Sequence, residues 1–133
     1  MTPEQNAHVK TLTEKKEIFD YVVDHLRQQA AQARRANVCS YRGKNNTMCA
    51  VGCLLADDEY VPSMEGNPAD RIELPHRLKP HVDMLQALQS FHDNEDCWNN
   101  ETCECSPSIS FTGGISPWGE NQLEIIHLDF GIK

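Results

Sequence analysis

The sequence predicts a single compact domain of the α+β class that spans all 133 residues. A chain of this length forms one hydrophobic core, which buries roughly two-thirds of the unfolded surface and therefore lets the domain fold alone. Two patterns predict the class: an apolar stripe with helical spacing near the N-terminus, and two short apolar runs around a polar turn. No internal repeat or low-complexity segment indicates a second unit.

A long amphipathic helix is predicted from Leu12 to Arg34. Thr11 and Glu14 have the spacing of a capping box, in which the two side chains satisfy free amide groups of the first turn. Residues 1–10 are expected to be frayed. The apolar positions recur every three or four residues and would form the buried face: Ile18, Tyr21, Val22, Leu26.

A short β-hairpin is predicted next, with the turn at residues 43–46. Its two strands would be the run Val38–Arg42, which is rich in strand-forming residues, and the apolar run Thr47–Leu55. A helix that begins near Thr47 is the alternative, because a short apolar run does not distinguish the two structures by period. The polar turn between the runs favours the hairpin.

Two further helices complete the predicted fold. A central helix runs from Lys79 to His92, with Pro80 in its first turn, where a missing N–H group costs nothing. The C-terminal segment fits either a strand or a helix. Ser116 as N-cap and Gly131 as a left-handed terminator favour the helix.

Residues 93–115 form an acidic, cysteine-containing segment between these helices. It has little apolar periodicity, and we predict a loop with a short strand at Ser108–Thr112.

The net charge of −8 is unevenly distributed along the chain. Residues 1–44 carry a net +3 and residues 45–133 a net −11. The overall acidity argues against direct, sequence-independent nucleic-acid binding and against binding to anionic membranes, since both need a cationic face. An electrostatically selected partner of the acidic part should instead be a basic protein.

The expected compartment is a reducing cytoplasm. No apolar run approaches the roughly 18 residues that a membrane span needs. The polar N-terminus also lacks the apolar region of a secretory signal.

Three cysteines form the first candidate for chemistry: Cys39, Cys49 and Cys53. A nucleophilic thiol needs a neighbouring base or a helix N-terminus that lowers its pKa. Four histidines are available as that base, and nothing in the sequence selects among them: His25, His76, His81, His92. Burial of the thiols as small apolar side chains is the favoured interpretation. Redox pairing of Cys49 with Cys53 is the remaining one.

Four potential zinc ligands lie within 14 residues: His92, Cys97, Cys103 and Cys105. Thiolate and imidazole groups suit zinc, but the Cys-x-Cys spacing differs from the usual paired zinc ligands. We therefore expect neither a bound metal nor a cofactor.

Clustered carboxylates form the candidate partner-binding surface. They can serve in acid/base catalysis or bind Mg²⁺ if they converge, and they can also present a phosphate-like charge pattern to a nucleic-acid-binding protein. No nucleotide-binding or hydrolase motif accompanies them. The residues of the predicted surface are Asp57, Asp58, Glu59, Asp93, Glu95 and Asp96.

Several short motifs follow the helical segment Glu17-Ile18-Phe19-Asp20 in a distinctive order: Cys39-x-Tyr41-Arg42, Cys49-Ala50-Val51-Gly52-Cys53-Leu54-Leu55, Asp57-Asp58-Glu59-Tyr60, Met64-Glu65-Gly66 and Leu85-Gln86-x-Leu88-Gln89-x-x-His92-Asp93. This arrangement resembles a group of small, uncharacterised proteins encoded by tailed bacteriophages. The resemblance covers residues 14–95, whereas the loop 97–105 departs from the group's pattern. It implies an accessory protein that binds a host protein, including proteins of host antiviral defence, and it implies no activity.

We therefore expect a binding protein and not an enzyme. It would inhibit or redirect a basic host protein in the host cytoplasm, through its acidic surface. Two alternatives remain: a small cysteine-dependent enzyme, or a protein that sequesters a small signalling molecule. The second alternative would need basic pocket residues such as Arg42, Arg71, Arg77 and Lys79.

Overall fold

The computed structural model describes residues 1–35, 38–99 and 114–132. Its α-helices are α1 (Pro3–Val9), α2 (Lys15–Gln29), α3 (Val82–Asp93) and α4 (Pro117–Asp129). Its strands, β1 (Arg34–Arg35) and β2 (Val38–Cys39), have two residues each and pair antiparallel. The predicted helices are present, but a dominant α+β class is not confirmed because strands contribute so little. None of the helices in the described ranges has the length and apolarity to cross a bilayer.

The N-terminal segment, expected to be frayed, contains helix α1 in the structure. Thr2 and Gln5 form a capping box around the start of α1, and Pro3 occupies the first helical position. Val9 is fully buried in the core. Asn6 and Asp57 exchange hydrogen bonds that attach α1 to a distant turn. These contacts join residues about fifty positions apart, and local sequence patterns do not report them.

Helix α2 is shorter than predicted at both ends. It begins at Lys15, where Glu14 and Glu17 form the capping box, in place of the predicted Thr11 and Glu14. It ends at Gln29 and not at Arg34, because Ala30 adopts a left-handed conformation with φ of 57°. The predicted inner face is confirmed at Ile18, Val22 and Leu26, which are buried together with Phe19 and Val23. Tyr21 is half-buried at its edge.

The predicted β-hairpin is not confirmed. A single antiparallel bridge joins Arg42 to Met48 around the tight loop, and the chain then forms a 3-10 turn at Gly52–Leu54. A Cβ atom on Gly52 would lie 2.1 Å from the carbonyl oxygen of Tyr41, so the segment passes too close to this residue for a side chain. Residues 48–56 are buried throughout, and burial on all sides removes the alternation that a hairpin strand shows.

Helices α3 and α4 agree with prediction. A 3-10 turn containing Pro80 precedes α3, whose inner face includes Leu85, Leu88 and Phe91. The Ser116 hydroxyl caps α4, so the helical interpretation of the C-terminal segment is confirmed. Past its end, the Ile132 N–H donates to the His127 carbonyl, which closes the helix in a Schellman arrangement.

The segment between these helices is described only at its ends. Residues Glu95–Cys97 form a 3-10 turn, and Trp98 forms an isolated antiparallel bridge with Ile115. Ser116 donates its N–H to the Cys97 carbonyl and its hydroxyl to the Asp96 carbonyl. These bonds fix the turn against the start of α4. The predicted strand at Ser108–Thr112 lies outside the described residues.

Candidate functional site

A cleft of about 460 Å³ lies between β2, the loop 65–69 and the last turns of α3. We call it the acidic cleft because two carboxylates, Glu65 and Asp93, line it and no lysine or arginine of the described ranges does. The other polar groups in its wall are a thiol, hydroxyls and amides: Cys39, Ser40, Tyr41, Asn67, Gln86, Gln89, Ser90. A polar, acidic cleft of this kind suits a cationic ligand.

Glu65 forms one wall of the acidic cleft through local hydrogen bonds. Its Oε1 accepts from the Tyr41 N–H at 2.8 Å, and its Oε2 accepts from the Arg42 N–H at 3.2 Å and from the Tyr60 hydroxyl at 2.8 Å. The Tyr41 hydroxyl donates to the Asn67 carbonyl at 2.6 Å. Four residues quoted in the phage-group resemblance therefore meet at this wall.

His92 lies beneath the opposite wall and joins three parts of the fold. It is completely buried, and its Nε2 accepts from the Ala33 N–H at 2.9 Å. Nδ1 therefore carries the proton and donates to Asp93 Oδ1 at 2.8 Å. The His92 carbonyl accepts from Gln32 and from the Trp98 indole. His92 thus links the residues after α2, the end of α3 and the turn that follows it.

Cys39 completes a cluster with His92 and Asp93, with one potential ligand atom of each within 4.8 Å of the others. The trio resembles a catalytic arrangement of thiol, imidazole and carboxylate. However, both ring nitrogens are already engaged, so the imidazole has no lone pair for the thiol proton. Burial and the neighbouring Asp93 raise the pKa of the Cys39 thiol to about 12. The cluster does not provide a nucleophile at neutral pH.

Binding of a metal ion at this cluster is also opposed by the hydrogen bonds of the His92 ring. Coordination through either nitrogen of His92 would require loss of the Ala33 bond or removal of a second proton from the ring. Of the four predicted zinc ligands, Cys97 is buried near the end of α3, and burial raises the pKa of its thiol to about 11. Cys103 and Cys105 lie outside the described residues.

We expect the purified protein to contain far less than one zinc per chain. The buried His92 ring would lose its hydrogen bonds on ligation, which opposes binding. Elemental analysis of wild type and of Cys103→Ser checks this. One zinc per wild-type chain that is absent from Cys103→Ser, together with a lower melting temperature after chelation, would overturn this expectation.

The two thiols proposed for catalysis, Cys49 and Cys53, are completely buried. Burial raises the pKa of Cys49 to about 12, and burial and Cys49 hold the pKa of Cys53 well above its usual value. The Cys53 thiol donates to the Ala50 carbonyl at 3.1 Å. Of the predicted bases, His25 contacts the Met48 carbonyl and not either thiol. Both cysteines behave as small core residues.

The first predicted acidic cluster is neutralised by cations of the same chain. Asp57 pairs with Arg42 at 2.7 Å, and Asp58 pairs with Lys10 at 2.9 Å. Glu59 forms two hydrogen bonds with Arg77. The Arg42 and Asn6 hydrogen bonds lower the pKa of Asp57 to about 2. These carboxylates therefore hold α1 and neighbouring segments in place.

The second predicted cluster has a different environment. Asp93, Glu95 and Asp96, which we call the acidic turn, are exposed at the end of α3. No lysine or arginine within the described ranges pairs with any of the three. Asp93 also lines the acidic cleft, so the turn and the cleft form one continuous acidic surface.

The basic residues named for a small-molecule site do not converge. Arg77 and Lys79 pair with Glu59 and Glu73, whereas Arg42 lines a separate basin near α1. Sequence reasoning did not select Glu65 or Gln89 as site residues. Glu65 had one signal, its place in the Met64-Glu65-Gly66 motif of the phage-group resemblance. Gln89 had the same kind of signal, its place in the Leu85-Gln86-x-Leu88-Gln89 stretch of that resemblance.

Comparisons with known proteins leave the chain without an assigned family. No family model matches the sequence, and no solved structure matches it. The chain is similar to human Tubby-related protein 1, with 26% identity over 108 residues. The match covers 80% of this chain but only 19% of that protein, so the chain spans about a fifth of the curated relative it matches.

Proposed function

We propose that this chain is an accessory protein of a tailed bacteriophage that binds a basic host protein and inhibits or redirects it. The observation that carries the proposal is the continuous acidic surface formed by the acidic cleft and the acidic turn. The proposed surface does not include Asp57, Asp58 and Glu59, because each of them already pairs with a cation of this chain. The proposed compartment is the host cytoplasm, and the host's antiviral defence proteins are the proposed class of target.

Electrostatics supports a protein partner with a basic surface. The acidic turn places three carboxylates within four residues, and Glu65 adds a fourth at the cleft. Clustered charges raise the local potential, which steers an oppositely charged partner and speeds its association. A lysine or arginine side chain of the partner fits the polar lining of the acidic cleft.

Binding is favoured over catalysis by the state of the cysteines. The Cys49 and Cys53 thiols are buried with raised pKa values, and His92 cannot accept a proton from Cys39. A cysteine-dependent enzyme needs a thiolate near neutral pH and a free base beside it. The described cysteines offer neither.

Removing the charge of the acidic turn is expected to weaken capture of the host partner about tenfold. The variant is Asp93→Asn, Glu95→Gln, Asp96→Asn; the new amide oxygen at position 93 still accepts from His92. The control removes three exposed carboxylates elsewhere on the chain: Asp83→Asn, Glu124→Gln, Asp129→Asn. Wild type and both variants serve as baits in host lysate, and retained proteins are quantified by mass spectrometry.

The retained protein should be basic and should bind wild type and control equally. Its association rate with wild type should fall as salt rises, because exposed charges are screened beyond about 8 Å at physiological ionic strength. Equal retention on all three baits, or an association rate insensitive to salt, would contradict the proposal.

A further inference from the structure

A second surface of the molecule has the opposite charge. A basin of about 850 Å³ lies between α1, α2 and the loop 42–48, and we call it the basic basin. Arg35 and Arg42 line it, together with a single carboxylate, that of Asp57. Its volume lies in the range of roughly 300–1,000 Å³ that is common for small-molecule sites.

Arg42 is held rigidly in the wall of the basic basin. Its Nη1 bonds to Asp57 and its Nη2 to the Leu55 carbonyl, both at 2.7 Å. The guanidinium also stacks over the Tyr60 ring, 5.1 Å from the ring centre. Its Nε is buried and has no hydrogen-bond partner among the described residues. Because the guanidinium is already fixed, little side-chain entropy would be lost when an anion binds beside it.

Arg35 supplies an exposed positive charge to the basic basin. Its side chain is exposed, and no carboxylate within the described ranges forms an ion pair with it. Burial and the hydrogen bond to Glu65 raise the pKa of Tyr60, whereas Arg35 and Arg42 both oppose that rise. Both arginines line the same basin as Tyr60.

The remaining lining adds no negative charge that would repel an anion. Gln28, Asn46 and Thr47 supply amide and hydroxyl groups. His25 also lines the basin, and burial lowers its pKa, so it is neutral at pH 7. Asp57 is already bonded to Arg42 and Asn6. The basin therefore offers a ligand the Arg35 cation, the Arg42–Asp57 ion pair and neutral donors.

We propose that the basic basin binds a small organic phosphate of about the size of a nucleotide. Guanidinium groups bind phosphate through charge-assisted, often bidentate hydrogen bonds. In the lining of the basin, Arg35 is an exposed guanidinium and Arg42 a fixed one. The site is separate from the acidic cleft, so this inference does not depend on the proposed binding of a host protein.

The test measures binding of ADP and of inorganic pyrophosphate by calorimetry, with the full chain as wild type, Arg35→Gln and Arg71→Gln. Arg35 is exposed, so its replacement leaves the core unchanged. Arg71 is the matched control: an exposed arginine that does not line the basin. We expect saturable 1:1 binding of ADP, weakened about tenfold or more in Arg35→Gln and unchanged in Arg71→Gln.

Comparison of ADP with pyrophosphate shows whether the basin prefers an organic phosphate or a free inorganic one. ADP should bind more tightly than pyrophosphate, and pyrophosphate should compete with it. Absence of saturable ADP binding at millimolar concentration would overturn the inference. Equal affinity in wild type and Arg35→Gln, or tighter binding of pyrophosphate than of ADP, would overturn it as well.

Discussion

Replacement of Val22 with aspartate is expected to unfold the protein. Val22 is completely buried on the inner face of α2, between the equally buried Ile18 and Leu26. At this level of the core, α2 packs against the 3-10 turn Gly52–Leu54. A carboxylate there would have no partner, and burial of an unpaired charge costs several kcal/mol, a large part of the roughly 5–15 kcal/mol that stabilises a domain.

Urea unfolding followed by circular dichroism measures the effect. Gln28→Asp is the control, because it introduces the same charge at an exposed position of the same helix. The control should lose less than about 1 kcal/mol, since surface substitutions have small effects. A soluble Val22→Asp variant with the wild-type melting temperature would show that this face of α2 does not belong to the core.

Replacement of Arg77 with methionine is expected to destabilise the fold by about 3 kcal/mol. Arg77 forms two hydrogen bonds with Glu59, at 2.7 and 2.8 Å, and a third with the Leu54 carbonyl at 2.8 Å. The side chains of Arg77 and Glu59 are only 11% and 19% exposed, so the lone carboxylate would stay poorly solvated. Lys79→Met, which removes a cation 48% exposed, is the control and should cost less than about 1 kcal/mol.

A double-mutant cycle with Glu59→Met identifies the cause. When both charges are removed, no uncompensated charge remains, so the double variant should be more stable than Arg77→Met. If the two single losses simply add in the double variant, the Arg77–Glu59 pair does not act as a unit.

The same pair should control part of the acid sensitivity of the fold. Although burial opposes it, the Arg77 hydrogen bonds hold the pKa of Glu59 below its usual value of 4.5. The stabilisation is therefore complete above that value and is lost as the pH falls through the lower pKa of the folded state. Between pH 5 and pH 3, the free energy of unfolding of Arg77→Met should fall less than that of wild type, as urea titrations at each pH would show.

Features set by neighbouring residues were predictable from the sequence. The inner face of α2 follows from the spacing of Ile18, Val22 and Leu26, because positions three and four apart share one side of a helix. The start of α4 follows from Ser116 and its end from Gly131, since both caps act within one turn. His92 and Asp93 were identified as candidates through their chemical types alone.

Features that depend on distant residues were not predictable. Nothing local shows that α2 stops at Ala30, or that residues 1–10 are secured by Asp57 and Asp58. The apolar run 47–55 resembled a strand because its period was ambiguous. Its actual course follows from burial on all sides and from the approach of Gly52 to the Tyr41 carbonyl.

For the proposed binding surfaces too, part of the answer comes from the sequence and part from the tertiary structure. The sequence alone determined that the chain is acidic, that its acids are clustered and that positive charge is concentrated in residues 1–44. Only the tertiary structure decided which of those charges are available. Asp57, Asp58 and Glu59 meet cations from distant positions, whereas the acidic turn meets none in the described ranges, and Arg35 and Arg42 come together at one basin. Charge is a property of composition, but its neutralisation depends on distances of a few ångströms between residues far apart in the chain.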